Sequence, residues 1–293
     1  MRTTPINIEK SIKKNRTINK VIKFLLSAIT VFSFSIILFL LLKIISKGLF
    51  TINIHFLTGL PEEIDAGGGV GPFLFNTFYV LLISLVISIP IALGAGIYLA
   101  EYAKKNKMTE WISTCVEALA SVPSLVFGLF GYVLFVEVFD IGLTVIGAAI
   151  TLSFLNLPAL TRITEESIRN VPLSYREAAY SLGASKATCI LTIILPAALK
   201  GIFTGISLTA CRALGESAVI LLVGGTSASD KMWDFSLTGP GATLPVQLWY
   251  IQSEALVDDA RKIADQSAAI LVIIILLLSL ILRLPFMFKK YKQ

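Results

Sequence analysis

The chain has 293 residues, of which 55% are hydrophobic and only 15% charged, and its mean hydropathy is +0.81; this is too apolar for a soluble domain of that size and points to a polytopic membrane protein. The net charge of +6 would suit a nucleic-acid partner if it formed a patch, but the cations sit at the ends of apolar segments, which argues for membrane topology and against nucleic acid. Cys115, Cys189 and Cys211 lie in or beside apolar runs without pairing or ligand spacing, so they read as reduced packing residues and no disulfide is expected.

Residues 1–23 carry Arg2, Lys10, Lys13, Lys14, Arg16, Lys20 and Lys23 against one acid, Glu9, as a basic cytoplasmic tail does. The apolar run from about Phe24 to Ile45 exceeds the roughly 7–15 residues of a signal-peptide core, and no small-residue cleavage site follows it. It is expected to remain as the first transmembrane helix. Runs of about 20 apolar residues span a bilayer at roughly 1.5 Å per residue. Further spans are expected near Phe73–Ala100, Trp111–Val136, Gly142–Leu160, Ala197–Val223 and Gln266–Phe288, six in all. With the N-terminus inside, 19 Lys and Arg residues fall on the cytoplasmic side and five outside, with Arg212 left within a span; both termini are then cytoplasmic.

Within the spans, Gly94-x-Gly96, Gly128-x-x-Gly131 and Gly201-x-x-x-Gly205 supply small surfaces for close helix packing, and Pro90, Pro123 and Pro158 interrupt regular hydrogen bonding. Two outer loops stand out. Gly67, Gly68, Gly69 and Gly71 precede Pro72 in a segment that reads as a hinge or as a backbone nest for an anion. Residues 243–265 place Leu244, Leu248, Ile251, Leu256 and Ile263 among acids, a pattern that suits an amphipathic helix lying on the outer surface.

The cytoplasmic loop after the fourth span is organised around Glu177–Pro196. Pro172 pushes Val171 out of the helical region, Ser174 and Glu177 form an S-x-x-E capping box, and Gly183 ends the helix after about two turns. A second segment beginning near Ser185 then leaves in a new direction. Glu177, Ala178, Ala179, Gly183, Ile193, Leu195 and Pro196 match E-A-A, three residues, G, nine residues, I-x-L-P. That pattern resembles the EAA loop of ABC importer permeases. The resemblance implies that residues 174–196 form the helix that couples the spans to a cytoplasmic ATPase, with the small alanines permitting close approach.

Arg212 lies well inside the span expected near Ala197–Val223, where an arginine facing lipid costs roughly 2.5–3.5 kcal/mol. Glu216, four residues on, is expected on the same helical face, with Gly215 leaving room for backbone approach. Two readings stand: a self-neutralising structural pair, or a pathway in which Arg212 presents a planar cationic fork to an oxyanion while Glu216 holds it. Glu117 reads as an interface hydrogen-bond partner and His55 as a surface residue. No metal site is proposed, and no G-x-x-x-x-G-K-[ST] occurs to cradle ATP.

The segments GGGVGP (67–72), IPIALGAGIYLAEYA (89–103), SVPSLVFGLFG (121–131), CRALGESA (211–218) and TLPVQLWY (243–250) extend the likeness. They resemble PstA-type permease subunits of phosphate-specific ABC importers. The resemblance implies an all-α, six-span type I ABC importer permease fold, with the transporter domain over 67–288 flanked by 1–66 and a basic tail at 289–293. It also implies that Arg212 and Glu216 are functionally important. Ser217 and Val219 depart from the G-E-T-A-P often found in that branch, which leaves the choice between A-type and C-type subunits open. The implied function is inward phosphate transport in the plasma membrane. ATP and Mg would be held by a partner ATP-binding cassette dimer, with no cofactor in this chain. The other implied partners are a PstC-type second permease, an extracytoplasmic phosphate-binding protein and membrane lipid. Sulfate or molybdate as the anion, or a secondary carrier working alone, are the alternatives.

Overall fold

In a computed structural model of the chain, residues 5–62, 67–104, 106–254 and 257–288 are described, and among them every regular element is helical. The first helix, α1 (Pro5–Gly48), is longer than the apolar run inside it: its 44 residues at about 1.5 Å each exceed twice a ~30 Å hydrocarbon core. The expected span at 24–45 is its outer half. Gly48 brings it against the last helix, because a Cβ there would lie 2.6 Å from the side chain of Ala269.

A short α2 (Ile54–Thr58), capped by Asn53, leads through the glycine segment into α3 (Gly71–Ile97), which ends in a widened π-helical turn, Tyr98–Tyr102. The third expected span is not one straight helix. α4 (Lys107–Ala120) and α5 (Ser124–Gly131), with its π-helical continuation Tyr132–Val138, meet at 93°. Pro123 has no amide hydrogen and an extended ψ of 139°, so the α4 ladder cannot pass through it. α6 (Val145–Arg169) runs inward from a Thr144 cap, with Gly147 donating to its hydroxyl. Among the described residues five helices are long and apolar enough to cross a membrane, and the bent α4–α5 pair, counted as one span, makes a sixth.

The centre is the packing of α3 on α6. Lipid is as apolar as leucine, so helix association there rests on shape, and small residues decide it. A Cβ on Gly96 would lie 2.6 Å from that of Thr164, and one on Gly131 would overlap the Thr151 side chain. Buried side chains form two clusters. One, toward the outside, joins Phe73, Val80, Leu152, Leu214, Val219, Leu244 and Ile270; the other, at the cytoplasmic end, joins Ile168, Val171, Ala179, Cys189, Ile194, Ala198 and Ile202.

The fifth span also departs from expectation. It starts earlier, with α8 (Lys186–Cys189) and a π-helical turn, Ile190–Ile194, feeding α9 (Leu195–Leu214) as one run. It stops at Gly215, and α10 (Ala218–Gly224) resumes after Ser217. Nor do residues 244–251 form a helix lying on the surface, while Leu256 of that expected helix is outside the described residues. Leu244, Pro245, Val246, Gln247 and Ile251 of α11 (Leu244–Ser253) are buried, packed against α3 and α12 (Ala260–Phe288). Side chains of α3 draw this segment in: Asn76 donates to the carbonyls of Pro240 and Ala242 at 3.1 Å, and Leu244 donates its amide to Thr77 Oγ1 at 2.9 Å. Buried backbone groups must find such partners, and α3 provides them.

Candidate functional site

The cytoplasmic loop builds a two-limbed element. α7 (Leu173–Ser181) starts at Pro172 with no side-chain cap, so the expected Ser174–Glu177 capping box does not form; Ser174 lies inside the first turn, where its hydroxyl has passed the orphan amides. The turn is as expected. Gly183 has φ +80°, a left-handed conformation that glycine adopts without penalty, and Ser185 caps the next segment by accepting from the Thr188 amide at 3.2 Å.

The two alanines of the motif face opposite ways. Ala179 is buried, 1% exposed, in the cytoplasmic cluster, whereas Glu177 and Ala178 are exposed. Around Ala178, Leu173, Tyr175, Tyr180 and Leu182 are also exposed, Leu182 at 88%. Ile193 and Leu195 pack against the cytoplasmic cluster, and Pro196 stands at the start of α9. Contiguous large apolar side chains on a segment outside the membrane mark a contact surface.

Behind this surface lies a group of ion pairs that the sequence reading did not single out. Arg176 donates Nε and Nη2 to Glu101 Oε1 at 3.0 and 2.6 Å, Nη1 to the Val171 carbonyl at 2.8 Å and Nη2 to that of Ile168 at 3.0 Å. Lys186 donates to the Glu101 carbonyl and lies 4.6 Å from the centre of the Tyr102 ring. Glu165, 2% exposed, pairs with Arg169 at 2.7 Å, and Arg169 also donates to the Leu99 carbonyl. The available signal was an acid, Glu101, closing an apolar span just before Lys104, Lys105 and Lys107.

Arg212 stands at the other end of the α8–α9 run, about 39 Å away along the axis at ~1.5 Å per residue. Gly201 lies against Ser167 and Gly205 against Ile163, so α9 and α6 run antiparallel in a fixed register. That register carries Arg212 to the level of Asn156, near the middle of α6. Its side chain is exposed, on a stripe with Lys200, Thr204 and Leu208, and among the described residues it has no ion-pair partner. The shared helical face expected for Arg212 and Glu216 does not exist, because Gly215 ends α9 between them. Glu216 instead starts α10: its Oε1 accepts from the amides of Ala218 and Val219 at 3.1 and 3.5 Å. A carboxylate at a helix N-terminus satisfies orphan amides and complements the dipole.

At the outer face, Gly67, with φ +104°, donates its amide to Asp259 Oδ2 at 3.0 Å, while Gly69 and Gly71 donate to the carbonyls of Leu60 and Gly59. Three of the four glycine amides are thus occupied by the chain itself, which favours the hinge over the anion nest. Asp234 accepts from the Ser229 hydroxyl and the Ser236 amide at 2.7 and 2.9 Å; these two bonds, the hydroxyl first, hold its carboxyl below the usual carboxylate range. Glu117 is exposed on α4, and His55 is exposed on α2. Among the described residues no cluster of His, Cys, Asp and Glu could hold a metal ion.

Residues 92–287 match the family described as the binding-protein-dependent transport system inner membrane component. A probable ABC transporter permease, YqgI of Bacillus subtilis, is 39% identical over 250 residues, covering 82% of this chain and 85% of that protein. The phosphate transport system permease PstA of Yersinia pestis is 32% identical over 274 residues, covering 93% and 91%. Among solved structures, the inward-facing MetNI methionine ABC transporter superposes with a TM-score of 0.55 at 22% identity, over 73% of this chain and 91% of that one; it shares the fold.

Proposed function

Because this chain belongs to the family of binding-protein-dependent transport system inner membrane components, and is the multi-pass permease of an ABC transporter and not its ATPase, we propose that it carries inorganic phosphate inward. ATPase subunits are its partners by family, and α7 is the surface on which one docks. The observation that carries the anion reading is Arg212. An exposed guanidinium near mid-span is too costly to leave in lipid, so the face that bears it borders another protein surface or a water-filled path. A planar fork with no ion-pair partner among the described residues suits a tetrahedral oxyanion, which can take two parallel N–H donors. The PstA name of the relative that spans nearly the whole chain supports phosphate among the oxyanions.

The remaining partners follow from that chemistry. A second, PstC-type permease would complete the path beside Arg212, and the ATPase would be a cassette dimer holding ATP and Mg. The transporter domain would occupy 67–288. The outer side carries eleven acids, from Glu62 to Asp265, against five cations, so free phosphate is repelled there and an extracytoplasmic binding protein must deliver it. The test is uptake of labelled phosphate into vesicles holding the complete complex. Uptake is expected to need ATP and the binding protein, and unlabelled phosphate should compete far better than sulfate or molybdate. Full-rate uptake without the binding protein, or preferential competition by sulfate or molybdate, overturns the assignment.

A further inference from the structure

Both limbs of the cytoplasmic loop direct hydrogen bonds to one residue at the end of α3, Glu101. From the α7 limb, Arg176 puts two donors on the Glu101 carboxylate; from the α8 limb, across Gly183, Lys186 donates to the carbonyl of the same residue. Both side chains of the Glu101–Arg176 pair are largely removed from water, at 7% and 14% exposure. The remaining Arg176 donors bind Ile168 and Val171, where α6 ends, so one guanidinium ties α3, α6 and α7 together. Glu101 itself sits in the π-helical turn Tyr98–Tyr102, a widened geometry that recurs at functional positions in helices.

We propose that the Glu101–Arg176 pair is the joint through which displacement of α7 reaches α3, making Arg176 and Glu101 positioning residues for transport. The proposal rests on the reading of α7 as the ATPase docking helix. α8 runs unbroken into α9, so movement of the loop reaches Arg212 through a covalent rod. α3 has no such rod; between it and the loop lie Ala103–Asn106, α4, α5 and α6 in sequence. Apart from apolar packing, the paired guanidinium supplies a direct, directional connection. Its fork makes four bonds in fixed directions, which a lysine ammonium cannot reproduce although it keeps the charge. A joint of this kind changes how much transport each ATP yields, whereas a merely structural pair changes how much complex assembles.

The experiment uses the complete complex in vesicles and measures phosphate taken up and ATP hydrolysed in the same sample, with the ratio of subunits as the control for assembly. For Arg176→Lys and for Glu101→Gln, the complex is expected to assemble with its ATPase, and uptake per ATP to fall by about tenfold, the scale of one lost charged hydrogen bond. An unchanged ratio, whether both activities persist or both fall together, overturns the proposal. Failure of both variants to assemble also overturns it, since the pair is then structural only. Ala178→Arg separates this from the docking reading: if that variant retains the ATPase and its full turnover, the docking surface is misassigned, whatever the ratio in Arg176→Lys.

Discussion

The cytoplasmic end and the middle of the chain treat charge in opposite ways. At the cytoplasmic end Glu101, Glu165, Arg169 and Arg176 pair with one another and with the ends of neighbouring helices, and large apolar side chains, Leu173, Tyr175, Tyr180 and Leu182, stay exposed on α7 and its turn. In the middle, buried polar groups such as Ser84 and Asn156 bond inside the bundle, while the cation Arg212 is turned outward. Each exposed group is the one its surroundings tolerate least, an apolar patch in water and a guanidinium at mid-membrane depth. Such groups identify where the chain is incomplete by itself. The first face suits a protein surface, and the second suits the polar path proposed above.

Three measurements would break or sharpen this contrast. The largest effect is expected at Arg212. Arg212→Gln should lower phosphate uptake by roughly a hundredfold in complexes matched for assembly, as removal of one preorganised donor to an oxyanion does. Arg212→Lys should lose less. Because Glu216 caps α10 and does not pair with Arg212, adding Glu216→Gln should not restore uptake. Recovery in the double variant would return Arg212 to a structural pair and erase the contrast.

A smaller effect belongs to the turn. A left-handed conformation costs an L-residue roughly 1–2 kcal/mol, and Gly183 has φ +80° with open space where its Cβ would be. Gly183→Val therefore acts through the backbone alone. It should reduce ATP-driven uptake by about tenfold, while a protease-accessibility map of the outer loops stays unchanged. Normal uptake would mean that the angle between α7 and α8 does not matter for coupling. The smallest effect is at the outer surface. The Asp234 carboxyl is held below its ordinary value of 3.8, so its contribution to the loop is fully present above that pH and fades as pH falls through the lowered value. Trp233 fluorescence should be flat between about pH 8 and pH 5 and change only in stronger acid; a transition near neutrality would show that another group controls the loop.

Much of this organisation was legible in the residues. Apolar run length located the spans, Lys and Arg asymmetry set their direction, and the fixed spacing from Glu177 to Pro196 marked the two-limbed loop with its left-handed Gly183. These are local properties, carried by a helix's rise, by the cost of a charge in lipid and by the allowed φ of one residue. What the tertiary structure decided depends on partners far apart in sequence. The side chains of Asn76 and Thr77 on α3 drew the start of α11 inward, although its composition suited a surface helix. Pro123 signalled an interruption, but the 93° turn depended on how α5 and α10 pack. Arg212 and Glu216 are four residues apart, a spacing that implies contact only while one helix continues, and Gly215 ended it. Arg176 and Glu101, 75 residues apart, share no local pattern at all; only the side-by-side packing of α3 and α6 brings their charges within 2.6 Å.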